Sequence, residues 1–204
     1  SGDLRPFIQS RETISFTVSD GVVEALGVAD LTLNLNSDPA YKYSWYLDNT
    51  GQTAFASRPG LTGEDLNTDI SISNGYTGKG VGVNVIDEGL EIAHEDLIDN
   101  VITGSWNFID SGTDPTQSSS FTGGGHGTSI GGIVAAKGWN NKGGRGIAPN
   151  ASIFGYNLLE TGLSSQYDQS LGVNPPGGVT ADIYNMSFGA AYGTDANGNL
   201  LPEY

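Results

Sequence analysis

A chain of 204 residues is long enough to bury a real core, as one large domain or as one domain with an appended piece. Its 23 acidic and 8 basic side chains give a formal charge of −15, which argues against nucleic acid and anionic membrane surfaces as partners and favours cations and basic peptides. The absence of cysteine excludes a disulfide framework, a thiolate zinc site and a cysteine nucleophile, and no apolar run is long enough for membrane insertion. Abundant glycine with few charges fits a secreted or cell-surface protein.

In chain order, residues 13–35 alternate apolar and polar in two runs around Ser19-Asp20-Gly21, which predicts a β-hairpin. The pattern changes at Asn36-Ser37-Asp38-Pro39, placing a boundary near residue 37. Residues 1–36 then form a β-rich segment, either the end of a preceding module or a pro-segment, and residues 37–204 form a second unit. VGVNVID (81–87) is a β-branched run suited to a central parallel strand, and TSIGGIVAAK (128–137) reads as a helix. Ser129, Gly132, Ile133 and Ala136 are expected on one face of that helix, with Gly131, Gly132, Ala135 and Ala136 keeping it slim against a sheet. DPTQSSSFTGGG is a loop leading into the helix. ASIFGYNLL (151–159) and ADIYNMSFG (181–189) are further strand candidates, separated by a segment that includes SSQYDQSLGV. Alternating strands and helices predict an α/β domain with a mostly parallel sheet.

Asp87 stands at the carboxyl end of the first of these strands, the working edge of a parallel sheet, and Gly89 lets the chain turn away behind it. Alone it reads equally as a turn cap. His126, one of two histidines, begins a helix between Gly125 and Gly127, where the dipole should disfavour the imidazolium and leave a proton acceptor. An acid followed by a histidine suggests the pair that orients a serine nucleophile, and the order acid, histidine, serine is that of subtilisin. The glycines of GYTGKGVGV do not form a phosphate cradle, because they precede the strand instead of following it.

VGVNVIDEGLEIAHEDL and HGTSIGGIVAA resemble the aspartate and histidine segments of subtilisin-like serine peptidases. WYLDNTGQ (45–52), NGYTGKGV (74–81) and the pair Asp87-Glu88 are similar to the kexin and proprotein convertase branch, and the resemblance runs from about Asp38 to Gly189. It implies a subtilisin-like, doubly wound, mostly parallel sheet, incomplete here and preceded by the hairpin. Asp87 would be the triad acid and His126 the triad base, Glu88 would line the cleft, and Ser187, Phe188 and Gly189 would pair with an extended polypeptide substrate.

The same resemblance implies a structural calcium ion, held by Asp38, Asp96, Asn140 and the carbonyls of Lys137, Lys142 and Gly144, with Asn141 competing with Asn140. The glycines of KGWNNKGGRG would turn those carbonyls inward. His94 belongs to a structural turn. Dibasic specificity is not implied, because Gly123 and Tyr192 stand where convertases have aspartate, and Asp195 lies in an apparent insertion.

In relatives the nucleophile segment and the oxyanion-hole asparagine lie downstream of positions matching residue 204, and Gly127-Thr128-Ser129 has the wrong context to replace them. The expectation is therefore the amino-terminal part of a calcium-stabilised serine endopeptidase, inactive without the remainder of its own domain. The competing readings are a pseudopeptidase scaffold and a calcium-binding, β-rich adhesion module. The adhesion reading accounts for residues 13–35 and the acidic charge but not for Asp87 with His126.

Overall fold

The computed structural model describes residues 9–19, 24–34, 38–119, 124–161 and 166–189, the first two stretches as backbone. The chain divides into two interleaved units, one of residues 1–79, 95–100 and 132–150, the other of residues 80–94, 101–131 and 151–204.

In the first unit, β1 (Gln9–Ser19) and β2 (Glu24–Asn34) pair antiparallel from Gln9↔Asn34 to Ser19↔Glu24. The expected hairpin is present and begins ahead of the alternating run. Ser19 ends β1, while Asp20 and Gly21 lie outside the described residues. A helical turn at Tyr41–Tyr43 and α1 (Thr68–Ser73) follow. Between them, the Asn-Thr-Gly-Gln letters of WYLDNTGQ fold as a polar knot. The buried Asn49 donates from Nδ2 to the Glu64 carbonyl at 2.9 Å and accepts the Gly51 amide at 3.0 Å, and Gln52 donates to the Asp48 carbonyl at 2.8 Å. These side chains close the turn through their own amide groups.

The second unit holds a parallel sheet of β3 (Gly82–Ile86), β4 (Ser152–Tyr156) and β5 (Ile183–Asn185), with β3 in the centre. The registers run Gly82↔Ser152 to Ile86↔Tyr156 and Val83↔Ile183 to Val85↔Asn185. The α/β class with a parallel sheet is thus as the sequence predicts. β3 is buried from Val83 to Ile86, which accounts for its near-continuous β-branched composition.

Two strand candidates are shorter than expected. β4 stops at Tyr156 because Asn157 diverts into side-chain hydrogen bonds, and Leu158–Thr161 form a helical turn, α3. β5 keeps only Ile183–Asn185 of ADIYNMSFG, and the separating segment contributes α4 (Tyr167–Ser170). Ile86, Phe154, Tyr156 and Leu158 form the core of this unit, flanked by Trp106, Phe108, Tyr184, Met186 and Phe188. Phe108 and Phe154 meet Tyr156 edge-on, with centroids at 5.7 and 5.9 Å.

The predicted helix is α2 (His126–Ala135); Lys137 falls beyond its end and donates its amide to the Asp96 carbonyl at 2.7 Å. Its buried stripe is Gly127, Gly131 and Ala135, a spacing of four. Ser129 and Ile133 share a face, as expected, and both are exposed. Gly131, Ala135 and Ala136, three of the small residues expected to keep the helix slim, are buried. Among the described residues, no helix is long and apolar enough to cross a membrane.

Candidate active site

Asp87 continues the line of β3, donating its amide to the Tyr156 carbonyl at 3.1 Å and accepting the Leu159 amide at 3.0 Å. Its carboxylate is fully buried. Oδ1 accepts the Glu88 amide at 2.8 Å, and Nδ1 of His126 lies 3.0 Å from Oδ1 and 3.1 Å from Oδ2. The acid and the histidine of the sequence motif are therefore in direct contact.

Two glycines make that contact possible. Gly89 has φ +149°, and a Cβ there would run into the Pro115 carbonyl and the Gln117 amide. A Cβ on Gly127 would strike the Gly89 carbonyl and the Cβ of Asp87, so only glycine lets the first turn of α2 reach the end of β3. The same turn is fastened by Thr128, whose hydroxyl accepts the Glu91 amide at 2.9 Å. Gly124 and Gly125, with φ +77° and +76°, bring the chain into it.

The Asp87 hydrogen bond raises the His126 pKa above the ordinary 6.5; the Asp87 charge adds to this, as does Glu88 to a lesser degree, and burial opposes it. The expectation that the helix dipole would hold the imidazolium down is therefore overturned: a full charge at 3.0 Å outweighs partial charges spread over a turn. With Nδ1–H assigned as the donor to Asp87, Nε2 is left to accept a proton. The histidine side chain is 47% exposed while Asp87 is enclosed, so a buried acid orients a base that solvent and substrate can reach.

Glu88 stands beside the pair, its Oε2 a long 3.4 Å from the His126 amide. Ser187 is exposed beyond β5 and accepts Nδ2 of Asn185 at 3.0 Å. Phe188 packs into the core cluster and meets Tyr167 edge-on at 6.2 Å, while Gly189 is exposed. His94 sits in a turn closed by its amide on the Glu91 carbonyl at 3.0 Å. Gly123, Tyr192 and Asp195 lie outside the described residues.

The sequence reading missed a strap between the carboxyl ends of β3 and β4. Asn157, fully buried just after β4, accepts the Phe108 amide at 2.7 Å and donates to Asn107 at 2.8 Å and Glu160 at 2.9 Å. Glu160 also accepts the Ser118 amide at 2.8 Å. Burial pushes its pKa up, but the hydrogen bonds from Ser118 and Asn157 outweigh this and hold it below 4.5. The neighbouring Gln117 accepts the Gly125 amide at 2.8 Å. The available signal was positional: Asn157 follows β4 as Asp87 follows β3, at the working edge of a parallel sheet.

In the first unit, the expected metal-ligating residues Asp38, Asp96 and Asn140 come together, and Asn140 rather than Asn141 faces the acids. Trp139, Asn141 and Gly143 have φ +61°, +61° and +30°. This alternation turns N–H groups towards the carboxylates. Asp38 accepts the Trp139 and Asn140 amides at 2.9 and 3.0 Å. Asp96 accepts Nδ2 of Asn140 at 3.2 Å and the Gly144 amide at 2.8 Å.

Lys142 donates its amide to Asn140 Oδ1 at 3.0 Å. The Lys137 ammonium reaches Asn100 at 3.2 Å and Asn150 at 3.0 Å. Arg145, which the sequence reading did not single out, donates from Nε and Nη2 to Asp38 at 2.9 and 2.8 Å. Its guanidinium lies 4.5 Å from the Tyr41 ring centroid and 4.4 Å from that of Trp139. Among the described residues, no three His, Asp or Glu side chains converge as a metal cluster.

Residues 78–200 match the Subtilase family. The extracellular serine protease of Aeromonas sobria is 42% identical over 157 residues, covering 77% of this chain and 24% of that protein. Human neuroendocrine convertase 2 is 32% identical over 166 residues, covering 79% of this chain and 25% of that protein. The crystal structure of the Aeromonas sobria serine protease superposes with a TM-score of 0.69 at 40% identity, covering 76% of this chain and 26% of that one. The chain thus spans about a quarter of the length of these relatives.

Proposed function

This chain belongs to the subtilase family, and on that footing we propose that it is the amino-terminal part of a serine endopeptidase. The observation that carries the reading is the buried Asp87 carboxylate 3.0 Å from Nδ1 of a half-exposed His126 at the end of a parallel strand. In the proposed reaction, Nε2 of His126 takes the proton of a serine hydroxyl supplied by chain beyond residue 204. The serine oxygen adds to the scissile carbonyl, and His126 returns the proton to the leaving amine. Asp87 holds the tautomer and stabilises the imidazolium without itself taking the proton.

The Asp87-Glu88 pair and the 32% identity to a convertase support the kexin-like branch. Glu88 and a charge of −15 suit substrates with basic side chains, and the exposed Ser187 and Gly189, with Phe188 between them, form the proposed wall for the substrate strand. Secretion is part of the proposal, supported by the relative named as extracellular.

Calcium is also part of it. Asp38, Asp96, Asn140 Oδ1 and the carbonyls of Lys137, Lys142 and Gly144 are the hard oxygen donors that would hold the ion, and to do so Asp96 would exchange its bond from Nδ2 of Asn140 for the metal. Arg145 already balances Asp38. If calcium binds the folded state alone, chelation lowers the melting temperature by mass action, and an unchanged melting curve removes the metal.

The test of the peptidase reading is fluorophosphonate labelling of the natural full-length protein. A single labelled serine beyond residue 204, lost in His126→Ala, supports it. A folded protein that takes no label would be a pseudopeptidase or a binding module.

A further inference from the structure

From the strap between β4 and the histidine loop, and resting on the peptidase reading above, we propose that Gln117 is a positioning residue for the proton transfer. Its side-chain carbonyl holds the Gly125 amide, and so sets where His126 meets Asp87. The bond is 2.8 Å and belongs to the residue immediately before the base. Gln117 is not carried on a free loop. The preceding Pro115 accepts the Leu90 amide at 3.1 Å, which ties the loop to the turn after Asp87. The following Ser118 donates its amide to Glu160 at 2.8 Å, and Glu160 is fixed by the buried Asn157 at 2.9 Å. The ends of two parallel strands therefore define the height of one acceptor atom, and that atom receives the last amide before α2.

The need for such a strap follows from the backbone. Gly124 and Gly125 both have positive φ, and among the described residues no atom lies within 4 Å of where a Cβ would stand on either. Two consecutive glycines leave the approach to His126 with much backbone conformational freedom. Thr128 secures the helix from the β3 side through the Glu91 amide, and Gln117 secures it from the β4 side. Misplacing a proton-transfer group by about 1 Å costs on the order of a hundredfold in rate.

The test uses the full-length protein with a peptide substrate. Gln117→Met removes the acceptor at similar size and is expected to lower kcat by roughly tenfold to a hundredfold, with KM changed by less than about twofold. Gln117→Glu keeps an oxygen acceptor at the same reach and is expected to recover most of the loss. The imidazole titration of His126, which faces Asp87 and Glu88, should fall towards 6.5 in Gln117→Met as the Asp87 contact loosens.

Wild-type kcat in Gln117→Met overturns the proposal. So does a loss of kcat that tracks a lowered melting temperature and is not recovered by glutamate. A wild-type protein with no turnover would sink the peptidase reading instead. The His126 titration still decides the strap in that case, because an unchanged pKa in Gln117→Met contradicts it.

Discussion

Asp38 and Asp87 are both carboxylates with fully enclosed side chains, and they have been given opposite kinds of partner. Asp38 faces Arg145, 5% exposed, gripped by two hydrogen bonds and flanked by two aromatic rings. The pair is an enclosed ion pair with its Nη2 to oxygen distance at 2.8 Å, a fixed charge arrangement. Asp87 faces an imidazole that is 47% exposed and whose pKa it raises above the ordinary 6.5. The same acid, at the same burial, fastens a loop in one place and tunes a proton acceptor in the other. Burial of a carboxylate therefore says little about its role until the partner's exposure and ability to titrate are known.

Breaking the second pair should have the largest effect. Asp87→Asn in the full-length protein leaves the packing nearly unchanged but favours the wrong tautomer of His126, and kcat should fall by about 10⁴. Steady-state kinetics beside a melting curve checks this, with little change expected in the melt. Breaking the first pair should act on stability instead. Arg145→Met leaves Asp38 buried without its charge partner, a cost of about 3–5 kcal/mol. Denaturant unfolding should show that loss, while kcat measured well below the transition stays within about twofold of wild type.

A smaller effect separates geometry from charge. Gly127→Ala keeps both members of the pair but places a Cβ against the Gly89 carbonyl and Asp87. The histidine should be pushed off the acid, for a loss on the order of a hundredfold in kcat. The smallest effect concerns the field around the pair. Glu88 contributes to the raised His126 pKa, and the base works only when neutral. The acid limb of kcat/KM should lie above 6.5 in the wild type and move slightly down in Glu88→Gln, not up.

The sequence made the strand and helix that carry chemistry legible because each signal was local. A β-branched run ending in Asp87 reads as a buried parallel strand, and it is one. His126 between Gly125 and Gly127 reads as the start of a helix, and α2 begins there. What could not be read depends on partners far along the chain. Arg145 lies 107 residues from Asp38, and Glu160 lies 42 from Ser118, so neither pairing leaves a periodic trace. The sign of the His126 shift was misread for a related reason. The helix dipole is visible from local sequence, whereas the stronger influence of Asp87 depends on a distance that only the fold supplies.

The measurement that tests this account most directly is the titration of the His126 imidazole by NMR in the full-length protein, with and without Asp87→Asn. The account predicts a wild-type pKa above 6.5 that drops when the carboxylate is neutralised. A value at or below 6.5 that ignores the substitution would show that Asp87 does not govern His126, and the proton-handling pair would be lost with it.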